Sequence, residues 1–200
     1  MKNKKKSTIK NKLILASSSQ TRIKFLKQYF KDVTVIKHLI NEEEYKNTGR
    51  PPREIALNLA KKKAFSVDHI YPREMIIGSD QILVCENKIF SKPKTLREAE
   101  DNLIFLSNKI HKLLSAIYVI KDSKLFFKEI KTAEIFFKKI SIKAIKSYVM
   151  NNKTAALSSV GSYKIEDNKK FNFLKIKSGD LETILGFPIE SFIEKVCKNE

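Results

Sequence analysis

Cysteine and long apolar runs are both scarce in this sequence. The two cysteines, Cys85 and Cys197, form no C-x-x-C pair and no metal-like spacing, which is typical of a protein from a reducing compartment. No apolar run approaches the roughly 20 residues that cross a bilayer. The lysine-rich start is followed by the short apolar run Leu13–Ala16, whereas a secretory signal needs about 7–15 apolar residues. We therefore expect a soluble cytoplasmic protein without a membrane partner.

Arginine is also scarce, although the chain is strongly basic. It occurs only five times, so the net charge of +18 comes mainly from 35 lysines spread along the whole chain. Arginine is the usual reader of bases and the usual bidentate ligand of phosphates. We therefore interpret the charge as a mainly solvated background and expect no specific nucleic-acid binding.

The length and composition are those of one globular domain. Two hundred residues with a hydrophobic content of 42% are enough for a proper core. We expect a basic, mobile tail over residues 1–12 and a single domain over residues 13–198. Strand and helix patterns alternate early and strand patterns cluster late, with no internal repeat, so the predicted class is α/β with a mixed sheet.

Apolar periodicity and turn residues place the individual elements. Helices are predicted over residues 21–31, after Pro51-Pro52, over residues 95–106 and 141–150, and at the end of the chain to Cys197. Strands are predicted over residues 13–16, 33–37 and 171–176, and as an antiparallel pair over residues 113–120 and 125–137. In the helix over residues 141–150, Ile142, Ile145 and Val149 are expected to face inward.

The stretch over residues 74–84 contains a candidate site. An apolar strand over residues 75–77 is predicted to end at Gly78, with Ser79 and Asp80 leaving the sheet before a second strand over residues 82–84. Ligands of open α/β sheets bind at the carboxyl ends of strands, so a carboxylate behind a glycine there indicates a binding site. The alternative is an ordinary turn aspartate that caps a neighbouring N–H group.

Two other stretches carry hydroxyls or charges in useful places. Residues 17–22, Ser-Ser-Ser-Gln-Thr-Arg, join a strand to a helix, where free N–H groups and hydroxyls bind anions unless the serines only cap the helix. Arg22 lies in the first helical turn, which disfavours a cation, and this misfit predicts an anionic partner. Residues 42–44 are three adjacent glutamates in a predicted loop, where they face water unless a divalent cation or lysines neutralise them.

Six short motifs together resemble the Maf family in order and spacing. They are Leu13-Ile-Leu-Ala-Ser-x-Ser19 with Arg22, Leu59-Ala-x-x-Lys-Ala64, Gly78-Ser-Asp-Gln81, Lys92-Pro93, Gly161-Ser-Tyr163 and Leu185-Gly-Phe-Pro188. Each motif is weak alone, but six in order over residues 13–196 are a strong match.

The resemblance implies a two-lobed α/β fold of the Maf/ITPase type, with a long mixed central β-sheet, flanking helices and a central cleft. It also implies a nucleoside triphosphate pyrophosphatase that cuts between the α and β phosphates and keeps noncanonical nucleotides out of nucleic acids. A divalent metal cation, Mg²⁺ or Mn²⁺, and a homodimer belong to the same expectation.

The resemblance further assigns roles to the residues that match its motifs. Asp80 becomes the group that activates water or binds metal, Glu42 holds metal beside it, and Lys92 is the third catalytic group. The residues expected to contact the triphosphate are Ser17, Ser19, Arg22, Lys63 and Lys92. Attack on a phosphoryl centre needs neutralised negative charge and a positioned water, and these residue types supply both.

Departures from the family pattern bear on the preferred base. Thr21 stands where many members have an arginine and where base selectivity is set. The chain has Ser159-Val-Gly161 and Glu166 where members that act on dTTP and UTP carry Lys-Ala-Gly and a glutamine. Gln81 and Glu166 resemble instead the branch that hydrolyses 7-methyl-GTP, in which a carboxylate pairs with the N1–H and N2–H₂ edge of a cationic base.

Two alternatives stay open at this point. The first is a dTTP or UTP pyrophosphatase of the same family. The second, from a different class, is a basic nucleic-acid-associated protein in which the Maf motifs are idle, although Arg22, Lys63, Asp80 and Lys92 are all retained.

Overall fold

The computed structural model describes residues 12–46 and 49–198. The predicted tail, apart from Lys12, lies outside the described residues. The chain forms a seven-stranded mixed sheet flanked by helices, which confirms the predicted α/β class. None of the helices in the described ranges combines the length and the apolar character of a membrane span.

Strands and helices are interspersed along the whole described chain. The strands are β1 (Leu13–Ala16), β2 (Val33–Ile36), β3 (Met75–Cys85), β4 (Lys88–Phe90), β5 (Lys109–Lys121), β6 (Lys124–Phe137) and β7 (Leu174–Ser178). The helices are α1 (Gln20–Leu26), α2 (Glu43–Lys46), α3 (Pro52–Phe65), α4 (Leu96–Leu106), α5 (Ile142–Asn151), α6 (Lys153–Ser158), α7 (Asn168–Phe171), α8 (Leu181–Ile184) and α9 (Glu190–Lys198). A 3₁₀ turn, Ile165–Asp167, precedes α7.

The sheet topology brings the turn after β1 close to the middle of β3. The strand order is β2-β1-β3-β5-β6-β7, and β4 pairs with β3. β1 runs parallel to β2 and β3, and the other strand pairs in the described residues are antiparallel. Because Ala16 pairs with Gly78, the serine-rich turn that follows β1 lies beside Ser79 and Asp80.

The core is divided between the two faces and the two halves of the sheet. In the first half, Ile14 and Ile76 face α3, whereas Leu15 and Ile77 face the opposite side with α1 and α9. This alternation is the period of two that a strand buried on both faces requires. In the second half, the start of β5 and the end of β6 pack against α4 and α5 in a separate cluster. The two halves form the two lobes.

β3 corrects the prediction of two short strands around a turn. It is one continuous strand of 11 residues, and Gly78 and Asp80 both pair with β5. Asp80 is therefore a strand residue and not a turn aspartate. A Cβ atom at Gly78 would clash with the carbonyl oxygen of Ala60 and would lie 2.6 Å from the amide nitrogen of Ala64. Gly78 thus lets the backbone of α3 approach β3 and does not end the strand.

Three smaller predictions were also wrong. α1 ends at Leu26 and not at residue 31, because the N–H groups of Gln28 and Tyr29 bond to carbonyls three residues back and tighten the chain. β7 begins after a helix that ends at Phe171, since Asn172 adopts a left-handed conformation with φ of 51°. Ile142 is 57% exposed because the first turn of α5 projects beyond the cluster that buries Ile145 and Val149.

Candidate active site

A cleft with a cavity of about 350 Å³ lies between the two lobes. One wall is formed by residues 18–22, from the serine-rich turn and the start of α1. The opposite wall consists of most of residues 158–166. Lys63 from α3 and Asp80 from β3 lie at its base, with Leu83 and Leu113 lining the second lobe. The cleft therefore offers charged groups in one part and apolar groups in another.

A buried lysine connects two carboxylates at the base of this cleft. The Nζ atom of Lys63 lies 2.6 Å from Oδ1 of Asp80 and 2.8 Å from Oε1 of Glu42. The side chains of Lys63 and Asp80 are only 4% and 5% exposed, so the pair is held away from bulk water. This contact depends on Gly78, because the close approach of α3 to β3 places Lys63 beside Asp80.

Glu42 is surrounded by lysines and a histidine. Nε2 of His38 lies 3.2 Å from Oε1 of Glu42, and Nζ of Lys46 lies 3.7 Å from Oε2. Burial alone would raise the pKa of Glu42, but the hydrogen bond from His38 and the interaction with Lys63 outweigh it and hold the pKa well below its usual range. Glu42 is therefore ionised at neutral pH. The next two glutamates begin the short helix α2 and do not form the predicted loop.

Arg22 connects three of the sequence motifs, because it belongs to the first and its side chain bonds to the motifs that contain Ser79 and Gly186. Its Nε donates to the carbonyl oxygen of Gly186 at 2.9 Å, and its NH1 donates to that of Ser79 at 2.7 Å. Its hydrogen-bond acceptors within the described residues are thus carbonyl groups, and the anionic partner stays a prediction. Burial lowers the pKa of Arg22, while the charges of Asp80 and Glu42 oppose this shift.

The Leu-Gly-Phe-Pro motif is explained by the same contact. Gly186 has a φ of 82°, a left-handed conformation that favours glycine. A Cβ atom there would lie 3.2 Å from NH2 of Arg22 and 3.3 Å from Oε1 of Gln81. The carbonyl of Gly186 also lies 3.0 Å from Oγ of Ser79, so it orients both the arginine and the strand.

The cleft brings together most of the predicted site residues. Those that line it are Ser19, Thr21, Arg22, Glu42, Lys63, Asp80, Gln81, Lys92 and Glu166. Ser17 is the exception, because it is buried beneath the turn and its Oγ accepts the N–H of Ser19. Lys92 is exposed, and partial desolvation lowers its pKa although the charge of Glu42 opposes the shift.

Gln81 is held more tightly than its predicted role in base selectivity requires. Its Nε2 donates within 3.1 Å to Oγ of Ser115 and to the carbonyl oxygens of Thr183 and Ile184. The amide nitrogen is thus committed to anchoring α8 on β3 and β5. Only the Oε1 atom is left for a ligand.

Several residues of the site carry no signal in the sequence. Lys46 is buried against Glu42, but nothing in a lysine-rich chain distinguishes it before the fold is known. His38 lies in an irregular segment and acquires its partner only through the turn before α2. Thr154 and Lys164 line the second wall from elements whose positions depend on long-range packing.

The carboxylates fit a divalent cation of the magnesium type. The buried Oδ2 atom of Asp80 has no hydrogen-bond partner among the described residues, whereas Oδ1 of the same carboxylate contacts Lys63, which also contacts Glu42. No group of three or more His, Cys, Asp or Glu side chains suited to a metal occurs in residues 12–46 and 49–198. Mg²⁺ typically takes one or two carboxylates and keeps waters or phosphate oxygens, so the number of carboxylates is compatible with it, and the metal stays a prediction.

Comparisons with known proteins define the class to which this site belongs. The family described as Maf-like protein matches residues 12–198, and the chain therefore belongs to the Maf family. It is 36% identical to the 7-methyl-GTP pyrophosphatase of Bartonella henselae, over 92% of this chain and 93% of that protein. It is 34% identical to a nucleoside triphosphate pyrophosphatase of Legionella pneumophila strain Paris, over 88% of each chain.

Among solved structures, the Ham1 protein of Staphylococcus aureus aligns with a TM-score of 0.44 and 18% sequence identity. The alignment covers 66% of this chain and 72% of that one. Similarity at this level does not bear on function.

Proposed function

We propose that this chain is a nucleoside triphosphate pyrophosphatase that cleaves the bond between the α and β phosphates of modified nucleotides, with 7-methyl-GTP as the preferred substrate. The observation that carries the proposal is the buried Asp80–Lys63–Glu42 cluster at the base of a cleft that Arg22 and Lys92 also line. The names of the two relatives support the same reaction class.

The charges of the cleft suit a triphosphate. Four cationic side chains line the cleft, Arg22, Lys63, Lys92 and Lys164, with the three carboxylates of Glu42, Asp80 and Glu166, so positive charge is in slight excess. Such an excess stabilises the negative charge that is spread over a phosphoryl group during transfer. Ser19 and the free N–H groups at the start of α1 add polar donors on the same wall.

Asp80 is proposed to activate the attacking water. Its Oδ1 atom is held by Lys63, which fixes the orientation of the carboxylate, while its Oδ2 atom has no protein partner in the described residues. A carboxylate oxygen of this kind accepts a proton from water and orients it for in-line attack.

Metal dependence is part of the proposal. Asp80 and Glu42 would hold Mg²⁺ or Mn²⁺, which supplies charge neutralisation for the phosphates when bound. Lys63 at present neutralises both carboxylates, so its ammonium group is expected to exchange at least one of them for a phosphate oxygen. A homodimer and a cytoplasmic location complete the proposal on the strength of the family resemblance.

Base selectivity is assigned to Glu166 and Thr21, which line opposite walls of the cleft. A carboxylate near the base favours the cationic 7-methylguanine ring through its charge and through paired hydrogen bonds to N1–H and N2–H₂. Gln81 contributes through the segment around Ile184 that it anchors.

The test is pyrophosphate release with Mg²⁺ from 7-methyl-GTP, dTTP, UTP and the ordinary purine triphosphates, repeated in excess EDTA. Preferred cleavage of 7-methyl-GTP that EDTA abolishes and Mn²⁺ or Mg²⁺ restores is the expected result. Preference for dTTP or UTP would retain the reaction and overturn the assigned base. Activity in excess chelator would overturn the metal requirement, and no release from any nucleotide would overturn the enzyme class.

A further inference from the structure

The second wall of the cleft lacks regular backbone hydrogen bonding. Residues 161–166 supply Gly161, Tyr163, Lys164, Ile165 and Glu166 to the lining, yet the segment belongs to no strand and contains only the start of a 3₁₀ turn. Its position must therefore be set by side chains that reach it from neighbouring elements. These contacts decide where Glu166 lies.

The hydroxyl group of Tyr148 connects the two ends of the turn over residues 164–167, which contains Glu166. The hydroxyl of Tyr148 donates to Oδ2 of Asp167 at 2.7 Å and accepts the N–H of Lys164 at 3.3 Å. Burial and the bonded carboxylate of Asp167 raise the pKa of Tyr148, so the phenol keeps its proton and remains a donor at neutral pH. A side chain of α5 therefore holds the two ends of the turn over residues 164–167 together.

The ring of Tyr148 is held independently of its hydroxyl. The side chain is 1% exposed, and its ring packs edge-on against Phe171 at a centroid distance of 4.9 Å and against Phe173 at 5.7 Å. Such aromatic pairs contribute about 0.5–1.5 kcal/mol each beyond their buried area. A phenylalanine at this position would keep the packing and remove only the two hydrogen bonds.

We propose that Tyr148 is a positioning residue for the base-binding end of the cleft. It does not line the cleft, and it acts on the nucleotide through Lys164 and Asp167, which fix the turn that presents Glu166. The inference rests on the proposed function. It adds that base recognition depends on a contact outside the cleft, between α5 and the wall.

The test compares a ligand that has a base with one that has none. In Tyr148→Phe, the KM for the preferred nucleotide should rise about fivefold to tenfold, as expected for the loss of one or two hydrogen bonds. The inhibition constant of pyrophosphate should stay unchanged, because pyrophosphate contacts only the phosphate end of the cleft. The kcat value should change less than KM.

Asp167 provides the matched variants. Asp167→Ala removes one of the two bonds from the other side, so KM should rise no more than in Tyr148→Phe, and the double variant should match Tyr148→Phe. Asp167→Asn keeps an acceptor and should restore most of the affinity. Tyr118→Phe changes a buried tyrosine that packs on Phe65 outside the cleft, and it should leave both constants unchanged.

An unchanged KM in Tyr148→Phe would overturn the proposal, and so would additive effects of the two single variants. An equal rise of the inhibition constant of pyrophosphate would also overturn it, because it would indicate a general structural role. If the wild-type protein releases no pyrophosphate from any nucleotide, the proposed function fails separately. Calorimetric binding of the nucleotide and of pyrophosphate then replaces the kinetic constants. Weakened nucleotide binding with unchanged pyrophosphate binding supports the proposal, and any other pattern overturns it.

Discussion

Asp80 is the residue whose substitution tests the candidate site most directly. Asp80→Asn preserves the side-chain volume and leaves Lys63 paired with Glu42, so the fold should be retained. Losing a carboxylate that accepts a proton from water lowers rates by about 10²–10⁴-fold, and we expect kcat for pyrophosphate release to fall by that amount. Asp101→Asn, at an exposed position of α4, is the control. Wild-type turnover in Asp80→Asn would remove this carboxylate from the mechanism.

Glu166→Gln tests the assigned preference for a cationic base. The substitution keeps the shape of the side chain and removes its charge, so hydrogen bonding to 7-methylguanine weakens by about 1.5 kcal/mol. The ratio of kcat/KM for 7-methyl-GTP over that for dTTP should therefore fall about tenfold, measured by pyrophosphate release. Glu194→Gln, exposed on α9, should leave the ratio as it is. An unchanged ranking in Glu166→Gln would refute the assignment.

At the scale of single residues, the sequence was informative only where a motif marked a position. Lys63 and Asp80 were selected by motifs, and they lie 2.6 Å apart. Lys46 could not be selected, because its burial against Glu42 depends on how α2 meets α3. Gln81 was selected, but its hydrogen bonds to α8 follow from packing between distant segments.

At the scale of elements, apolar patterns predicted most strands and helices, but they did not predict that β3 continues through Gly78 as one strand. A glycine within an apolar run is compatible with the end of a strand and with close backbone packing. Only the position of α3, with the carbonyl of Ala60 above Gly78, decides between them. The error at Ile142 has the same origin, because helical period predicts the inward face but not how far the neighbouring core extends.

The contact between α3 and β3 predicts the effect of Gly78→Ala. The new Cβ would meet backbone atoms of Ala60 and Ala64, which cannot rotate away, so we expect a loss near the upper end of overpacking costs, about 3 kcal/mol. α3 should also move, and kcat should fall as Lys63 leaves Asp80. Denaturant unfolding and pyrophosphate release measure the two effects.

Gly49→Ala is the control for that variant. Gly49 has a φ of 69° but no heavy atom within 4 Å of an added Cβ, so the substitution should cost about 1–2 kcal/mol in stability and leave kcat unchanged. Wild-type stability in Gly78→Ala would show that α3 does not depend on this glycine.

At the scale of the whole molecule, the excess positive charge is mainly a property of the surface. Within the described residues, Lys46 and Lys63 are the only buried lysines, and both contact Glu42. Burying an ammonium group is costly unless it is paired. The burial of these two lysines is therefore explained by their contact with Glu42, whereas the remaining lysines reflect the lysine-rich composition of the chain.

The stability of the whole molecule should depend on pH through His111. This side chain is 1% exposed, its Nε2 lies 2.6 Å from the hydroxyl of Tyr163, and burial lowers its pKa from 6.5 to about 4. Between these values the unfolded chain binds the proton and the folded chain does not, so stability falls with falling pH, by up to about 3 kcal/mol. His111→Gln keeps a partner for Tyr163 without titrating. Urea unfolding from pH 7 to pH 4 should therefore give a flatter profile for the variant, and parallel profiles would show that His111 is not the group responsible.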